Sequence, residues 1–99
     1  MAARLVVTRA GVPDRCVPLT EGAQFIIGRA FDATVSVPDE ENLSRRHARI
    51  RLHDGRLHVE RLDPASQPVT KDGVTQDSFQ LAPGEHFLIG RTRFLFEKA

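Results

Sequence analysis

The stretch Arg49-Ile50-Arg51-Leu52-His53-Asp54-Gly55-Arg56-Leu57-His58-Val59-Glu60 decides the fold. On both sides of Asp54-Gly55, polar and apolar residues alternate without a break. A repeat of two is that of an extended strand with one face buried, whereas a helix would repeat its apolar residues every three or four. Asp-Gly offers two adjacent positions that tolerate positive φ, as the tightest hairpin turns require. The stretch therefore reads as an antiparallel hairpin. Ile50, Leu52, Leu57 and Val59 should face a core, and the arginines, histidines and Glu60 should face water.

The same reading extends outward. Leu5-Val6-Val7-Thr8 is apolar and β-branched, a good first strand. Gly11-Val12-Pro13-Asp14 reads as a turn and Arg15-Cys16-Val17-Pro18 as a short partner strand. Gln24-Phe25-Ile26-Ile27 is apolar almost throughout, which predicts a strand covered on both faces. Downstream, Leu62 to Thr70 holds two prolines and reads as a loop. Asp72-Gly73 is a second tight turn, and Ala82-Pro83-Gly84-Glu85 a third. His86-Phe87-Leu88-Ile89 and Thr92-Arg93-Phe94-Leu95-Phe96 are the closing strands, parted by Gly90-Arg91, with Phe94 and Phe96 on one core face. No ten-residue window carries a helical stripe. Many short strands with closely spaced turns predict an all-β sandwich or barrel, and the pattern alone does not choose between them.

A chain of 99 residues is one domain, residues 1–99 with a core over about 4–97. That length buries roughly two-thirds of the unfolded surface, so no disulfide or metal is needed for folding. A net charge of +1 is too small to argue for nucleic acid or a membrane surface. Of the 14 basic residues only Lys71 and Lys98 are lysines. That bias fits a GC-rich, bacterial codon usage and also fits binding of phosphate by planar guanidinium forks. Cys16 is the only cysteine, which rules out an internal disulfide, and it reads as a small packing residue. No apolar run is long enough for a membrane helix, and no signal peptide is evident, so the expected location is the cytoplasm.

Two polar motifs lie where predicted strands end: Gly28-Arg29 after Phe25-Ile26-Ile27, and Ser44-Arg45-Arg46-His47 before the decisive hairpin. Loops at the ends of a rigid sheet commonly carry binding residues. An arginine fork, a serine hydroxyl and a backbone amide together suit a dianionic phosphate. Catalysis is not expected. Ser44 and His47 stand three apart with no acidic partner placed beside them, and His53, His58 and His86 do not form a zinc ligand set. The sequence therefore implies a binding module with no catalytic residue, no metal and no cofactor.

The order and spacing of Gly28-Arg29, Ser44-x-x-His47, the turns at Asp54-Gly55 and Asp72-Gly73, and the closing Phe87-Leu88-Ile89-Gly90 and Phe94-Leu95-Phe96 resemble the forkhead-associated (FHA) domain family. The resemblance runs from about Leu5 to Glu97. It implies a β-sandwich of two antiparallel or mixed sheets with about eleven short strands, and binding of threonine-phosphorylated peptides through loops at one end. By the same resemblance, Arg29, Ser44, Arg45 and Ser66 bind phosphate, Asn42 and Gln67 hold the peptide, and Gly28, His47 and Gly73 are structural.

The chain departs from the family at Ser66-Gln67-Pro68, where relatives carry Ser/Thr-Asn-Gly. Proline there removes a donor and the freedom of glycine. Arg46 has no assigned role and reads as a solvated loop residue. The run Asp39-Glu40-Glu41 reads as a solvated loop or as a deterrent to acidic peptide side chains. The implied partner is a protein phosphorylated by a Ser/Thr kinase, with the module attached to a larger protein. Neither nucleic acid nor membrane is expected, since there is no Trp or Tyr and the six Phe read mostly as core. The alternative is a phosphate-independent scaffold that pairs with a partner, or with itself, through a sheet face.

Overall fold

The computed structural model describes residues 3–62 and 69–98. Eleven strands follow one another: β1 (Ala3–Arg9), β2 (Val12–Leu19), β3 (Gln24–Gly28), β4 (Val35–Ser36), β5 (Ala48–His53), β6 (Arg56–Arg61), β7 (Val69–Lys71), β8 (Val74–Gln76), β9 (Ser78–Leu81), β10 (His86–Ile89) and β11 (Thr92–Lys98). They form two sheets. One has the order β2-β1-β11-β10-β7-β8, the other β4-β3-β5-β6-β9. All pairings are antiparallel except β3 with β4. The expected sandwich of two sheets is the observed architecture.

The β5–β6 hairpin has the register its alternation demands, with Leu52 opposite Leu57 and Ile50 opposite Val59. All four side chains are fully or almost fully buried. Asp54 and Gly55 take φ of 52° and 74°, and Asp72 and Gly73 take 53° and 77°. Positive φ at both central positions is the turn whose twist matches that of paired strands. Between the sheets, the rings of Phe87 and Phe94 stack with centroids 4.9 Å apart, and Phe79 of β9 meets Phe87 edge-on at 5.8 Å. Phe94 and Phe96 are both fully buried, as their shared face predicts.

Four local expectations change. The turn before β2 is confined to Ala10-Gly11, and Val12 to Asp14 belong to the strand. An edge strand has a row of backbone groups with no neighbour, so Pro13 and Pro18 are tolerated within it. Cys16 is exposed rather than packed, because its register opposite Val6 puts it on the outer face of that edge. Strand β3 is only partly covered: Ile27 is buried, but Gln24 is exposed and Ile26 half-buried, since their cross-strand neighbours Arg51 and Arg49 are themselves exposed to solvent. Of the loop expected from Leu62 to Thr70, residues 63–68 lie outside the described residues, and Val69 and Thr70 belong to strand β7, where Val69 is buried and pairs with Ile89.

Candidate functional site

The site begins with the close approach of two backbones. The carbonyl of Gly28 accepts from Val37 N–H at 2.9 Å, folding the β3–β4 connection back on itself. A Cβ at Gly28 would lie 1.9 Å from the Arg45 carbonyl oxygen and 2.7 Å from its carbon. The missing side chain, and not an unusual φ, is therefore what this glycine contributes. Across the gap, Arg29 N–H donates to the Ser44 carbonyl at 3.0 Å and Ala30 N–H to the Arg45 carbonyl at 3.3 Å. The β3–β4 and β4–β5 loops are thus stitched side by side, although their motifs are well separated in sequence.

His47 joins three segments at one point. Its N–H donates to the Ile27 carbonyl at 2.8 Å, and its own carbonyl accepts from Leu62 N–H at 2.9 Å. Its Nδ1 accepts from the Ser44 backbone N–H at 3.0 Å. The residue is wholly buried. Because Nδ1 is committed to the Ser44 amide, that nitrogen is not placed to activate the Ser44 hydroxyl.

Arg29, Ala30, Asp32, Ser44, Arg45 and Arg46 line one open hollow of about 630 Å³. The three arginines are exposed and Ser44 is half-buried. No carboxylate of the described residues lies within ion-pair distance of any of the three guanidinium groups. The hollow is therefore cationic and able to receive an anion. Of the residues expected to bind phosphate, Arg29, Ser44 and Arg45 converge here. Ser66 and Gln67 lie outside the described residues. Gly73 sits in the β7–β8 turn, where a Cβ would meet nothing within 4 Å.

Asn42 stands one step away. Its side chain packs so closely on the β10–β11 turn that a Cβ at Gly90 would lie 2.6 Å from Asn42 Cβ. Its Nδ2 donates to Glu40 Oε2 at 3.0 Å, so this amide is engaged within the protein.

Glu40 itself is not the solvated loop residue the acidic run suggests. It is buried, and it accepts from Arg91 N–H, the Thr92 hydroxyl, and both the backbone and side-chain amides of Asn42. Burial by itself would push its carboxyl up, but these donors outweigh burial and hold it below the ordinary glutamate value. This carboxylate ties the β4–β5 loop to the end of the other sheet.

Three features escaped the sequence reading. Arg46 lines the hollow beside its two neighbours, a role its adjacency to Ser44-Arg45 could have suggested. Asp32 adds a carboxylate to the rim, for which no sequence pattern gave a sign. Two of the four donors to Glu40, Arg91 N–H and the Thr92 hydroxyl, are distant in sequence, so the acidic run looked solvated. Among the described residues, Glu21, His53 and Asp54 have donor atoms within 4.8 Å of one another, a metal-compatible spacing. All three are exposed, and Glu21 Oε1 is already engaged by Asp54 N–H at 2.7 Å.

A comparison with curated proteins found no match. Solved structures do match. An FHA domain of the CT664 protein from Chlamydia trachomatis superposes with a TM-score of 0.89 at 22% identity, covering 100% of this chain and 99% of that one. An FHA domain solved in a study of phosphothreonine-dependent FHA interactions has a TM-score of 0.78 at 27% identity, with 97% of each chain covered. Mycobacterium tuberculosis EmbR, solved with a low-affinity phosphopeptide, has a TM-score of 0.79 at 27% identity over 99% of this chain and 24% of that one. The model of the FHA domain family matches residues 25–90, and the chain belongs to that family.

Proposed function

We infer that this FHA domain is a phosphothreonine-dependent interaction module that binds phosphorylated peptides through loops at one end of the sandwich. The observation that carries this reading is the convergence of Arg29, Arg45, Arg46 and Ser44 on one hollow. A phosphothreonine brings close to two negative charges and three strong acceptor oxygens. Arg29 can hold two of those oxygens through parallel N–H bonds, and Ser44 and the Arg45 amide supply further donors. Each hydrogen bond to a charged acceptor contributes about 1.5–3 kcal/mol net. Four of them at the upper end of that range, less about 4 kcal/mol for association and ordering, leave about −8 kcal/mol, or micromolar affinity. One similar domain solved in a study of phosphothreonine-dependent FHA interactions, and EmbR solved with a low-affinity phosphopeptide, support the same reading.

The partner on this reading is a protein phosphorylated on threonine by a Ser/Thr kinase and met in the cytoplasm, with the domain carried by a larger protein. On the same reading, Ser66 and Gln67 would complete the grip on phosphate and peptide main chain.

Calorimetric titration with one peptide in phosphothreonine, phosphoserine and unphosphorylated forms tests the proposal. Only the first should bind at micromolar levels. Arg29→Ala and Ser44→Ala should each abolish binding while the protein stays folded by circular dichroism. Equal affinity for all three peptides would instead support a phosphate-independent scaffold.

A further inference from the structure

Phe31 breaks the pattern set by the other five phenylalanines. Phe87, Phe94 and Phe96 are fully buried, and Phe25 and Phe79 pack against the core. Phe31 is 90% exposed. It lies between Ala30 and Asp32, both of which line the cationic hollow.

Its position is also held firmly. Ala33 N–H donates to the Ala30 carbonyl at 3.1 Å, closing a four-residue turn with Phe31 and Asp32 at its corners. The base of that turn is fixed by the bond from Ala30 N–H to the Arg45 carbonyl. A large apolar ring is therefore presented to solvent at the tip of a pinned turn, on the rim of the candidate site. Aromatic side chains, phenylalanine included, are enriched at interfaces, and a turn whose backbone is already held leaves less order to be imposed on binding.

We propose that Phe31 is a specificity-determining residue, which packs against an apolar side chain flanking the phosphothreonine. The inference rests on the phosphothreonine reading above and adds a selectivity to it. Phe31 stands two residues from Arg29, a backbone span of at most about 7 Å. An extended peptide covers the same span in two residues, so the apolar side chain lies two or three positions from the phosphothreonine. Asp32, at the other corner of the turn, repels acidic peptide residues from the same side.

The test uses a phosphothreonine peptide set in which each of the three positions on either side carries Leu or Ser in turn, read by fluorescence anisotropy against the wild type and Phe31→Ser. At one position the wild type should prefer Leu by about ten-fold or more, the gain expected from covering an aromatic ring. Phe31→Ser should erase that preference yet bind the all-Ser phosphopeptide within about two-fold of the wild type, with an unchanged melting temperature. Phosphate-dependent binding with a Leu preference that survives in Phe31→Ser, or with no Leu preference at any position, would overturn this proposal alone. Failure of the wild type to prefer any phosphorylated peptide would overturn both readings. Sedimentation with phosphatidylinositol phosphate vesicles that requires Phe31, without peptide selectivity, would assign the ring to a membrane surface and overturn the proposal.

Discussion

Gly28 and Arg45 approach so closely that a single added carbon on the first would fall 1.9 Å from the carbonyl oxygen of the second. This contact sets the spacing of the whole site. It lets the backbone of Arg29 and Ala30 reach the carbonyls of Ser44 and Arg45, and those two bonds bring the loops' side chains to one hollow. The obstructing atom is backbone, so the clash cannot be relieved by turning a side chain.

Gly28→Ala should therefore damage stability and binding together. Forcing an atom into a packed contact costs about 1–3 kcal/mol. Urea unfolding should show a lower midpoint with an unchanged slope, and the folded protein should bind phosphothreonine peptide more weakly because the two loops have been pushed apart. Ala at Gly73, by contrast, meets no neighbour, and its cost there comes from the φ of 77° alone.

Asp32 is a carboxylate on the rim of a cationic hollow. It faces the same solvent as the three arginines and opposes any arriving dianion. Asp32→Asn should raise phosphopeptide affinity by about two- to five-fold, the scale of an exposed charge interaction. Arg46→Ala should lower it by a similar factor. Both effects should shrink as salt is raised toward molar concentrations, where the screening length falls to about 3 Å. Titrations at low and high ionic strength check the direction and the screening together.

The strands were legible because their alternation is local: the β5–β6 hairpin, the turn at Asp72-Gly73 and the closing β10–β11 pair each follow from a few adjacent residues. Errors arose where the answer depends on a neighbour distant in sequence. The exposure of Cys16 follows from β2 being an edge, and the partial exposure of Ile26 follows from its place beside the exposed Arg49 on the outer face of its sheet, and neither is written in the residues themselves. Glu40 looked like one charge in an acidic run, yet its partners include Arg91 and Thr92 on the far sheet. The Gly28-Arg29 and Ser44-x-x-His47 motifs were visible as motifs. The reason Gly28 must lack a side chain was not, because it is a contact with Arg45 and not a property of its own backbone angles.

His47 should prove structural in a way that binding can detect. Replacing it with Ala leaves the Ser44 N–H without its Nδ1 acceptor and opens a cavity at a fully buried position. A cost of about 2–4 kcal/mol is expected from those two effects. Amide exchange at Ser44 should quicken in His47→Ala, and phosphopeptide affinity should fall even at temperatures where the variant remains folded. An unchanged affinity in folded His47→Ala would separate the ring from the geometry of the site.

Glu40 should make the end of the sandwich acid-sensitive. Its carboxyl is held below the ordinary glutamate value in the folded protein, so folding favours the ionised form. The stabilisation is therefore fully present above the ordinary value and is lost as pH falls through the lowered one. Glu40→Gln keeps the size of the group but offers one acceptor oxygen where two are used, by Arg91 and Thr92 on one side and Asn42 on the other. At neutral pH the variant should be less stable by about 2 kcal/mol. The difference between wild type and variant should narrow steadily in acid, because only the wild type carries a carboxylate at position 40 to be protonated. Urea midpoints of the two proteins, measured in parallel from neutral to acidic pH, isolate Glu40 from the other carboxylates, which titrate in both. A gap that stayed constant across that range would mean that the donors around Glu40 do not favour its charged form. Since the same carboxylate holds Asn42 against the β10–β11 turn, phosphopeptide binding by the wild type should weaken over the same acidic interval in which the gap closes.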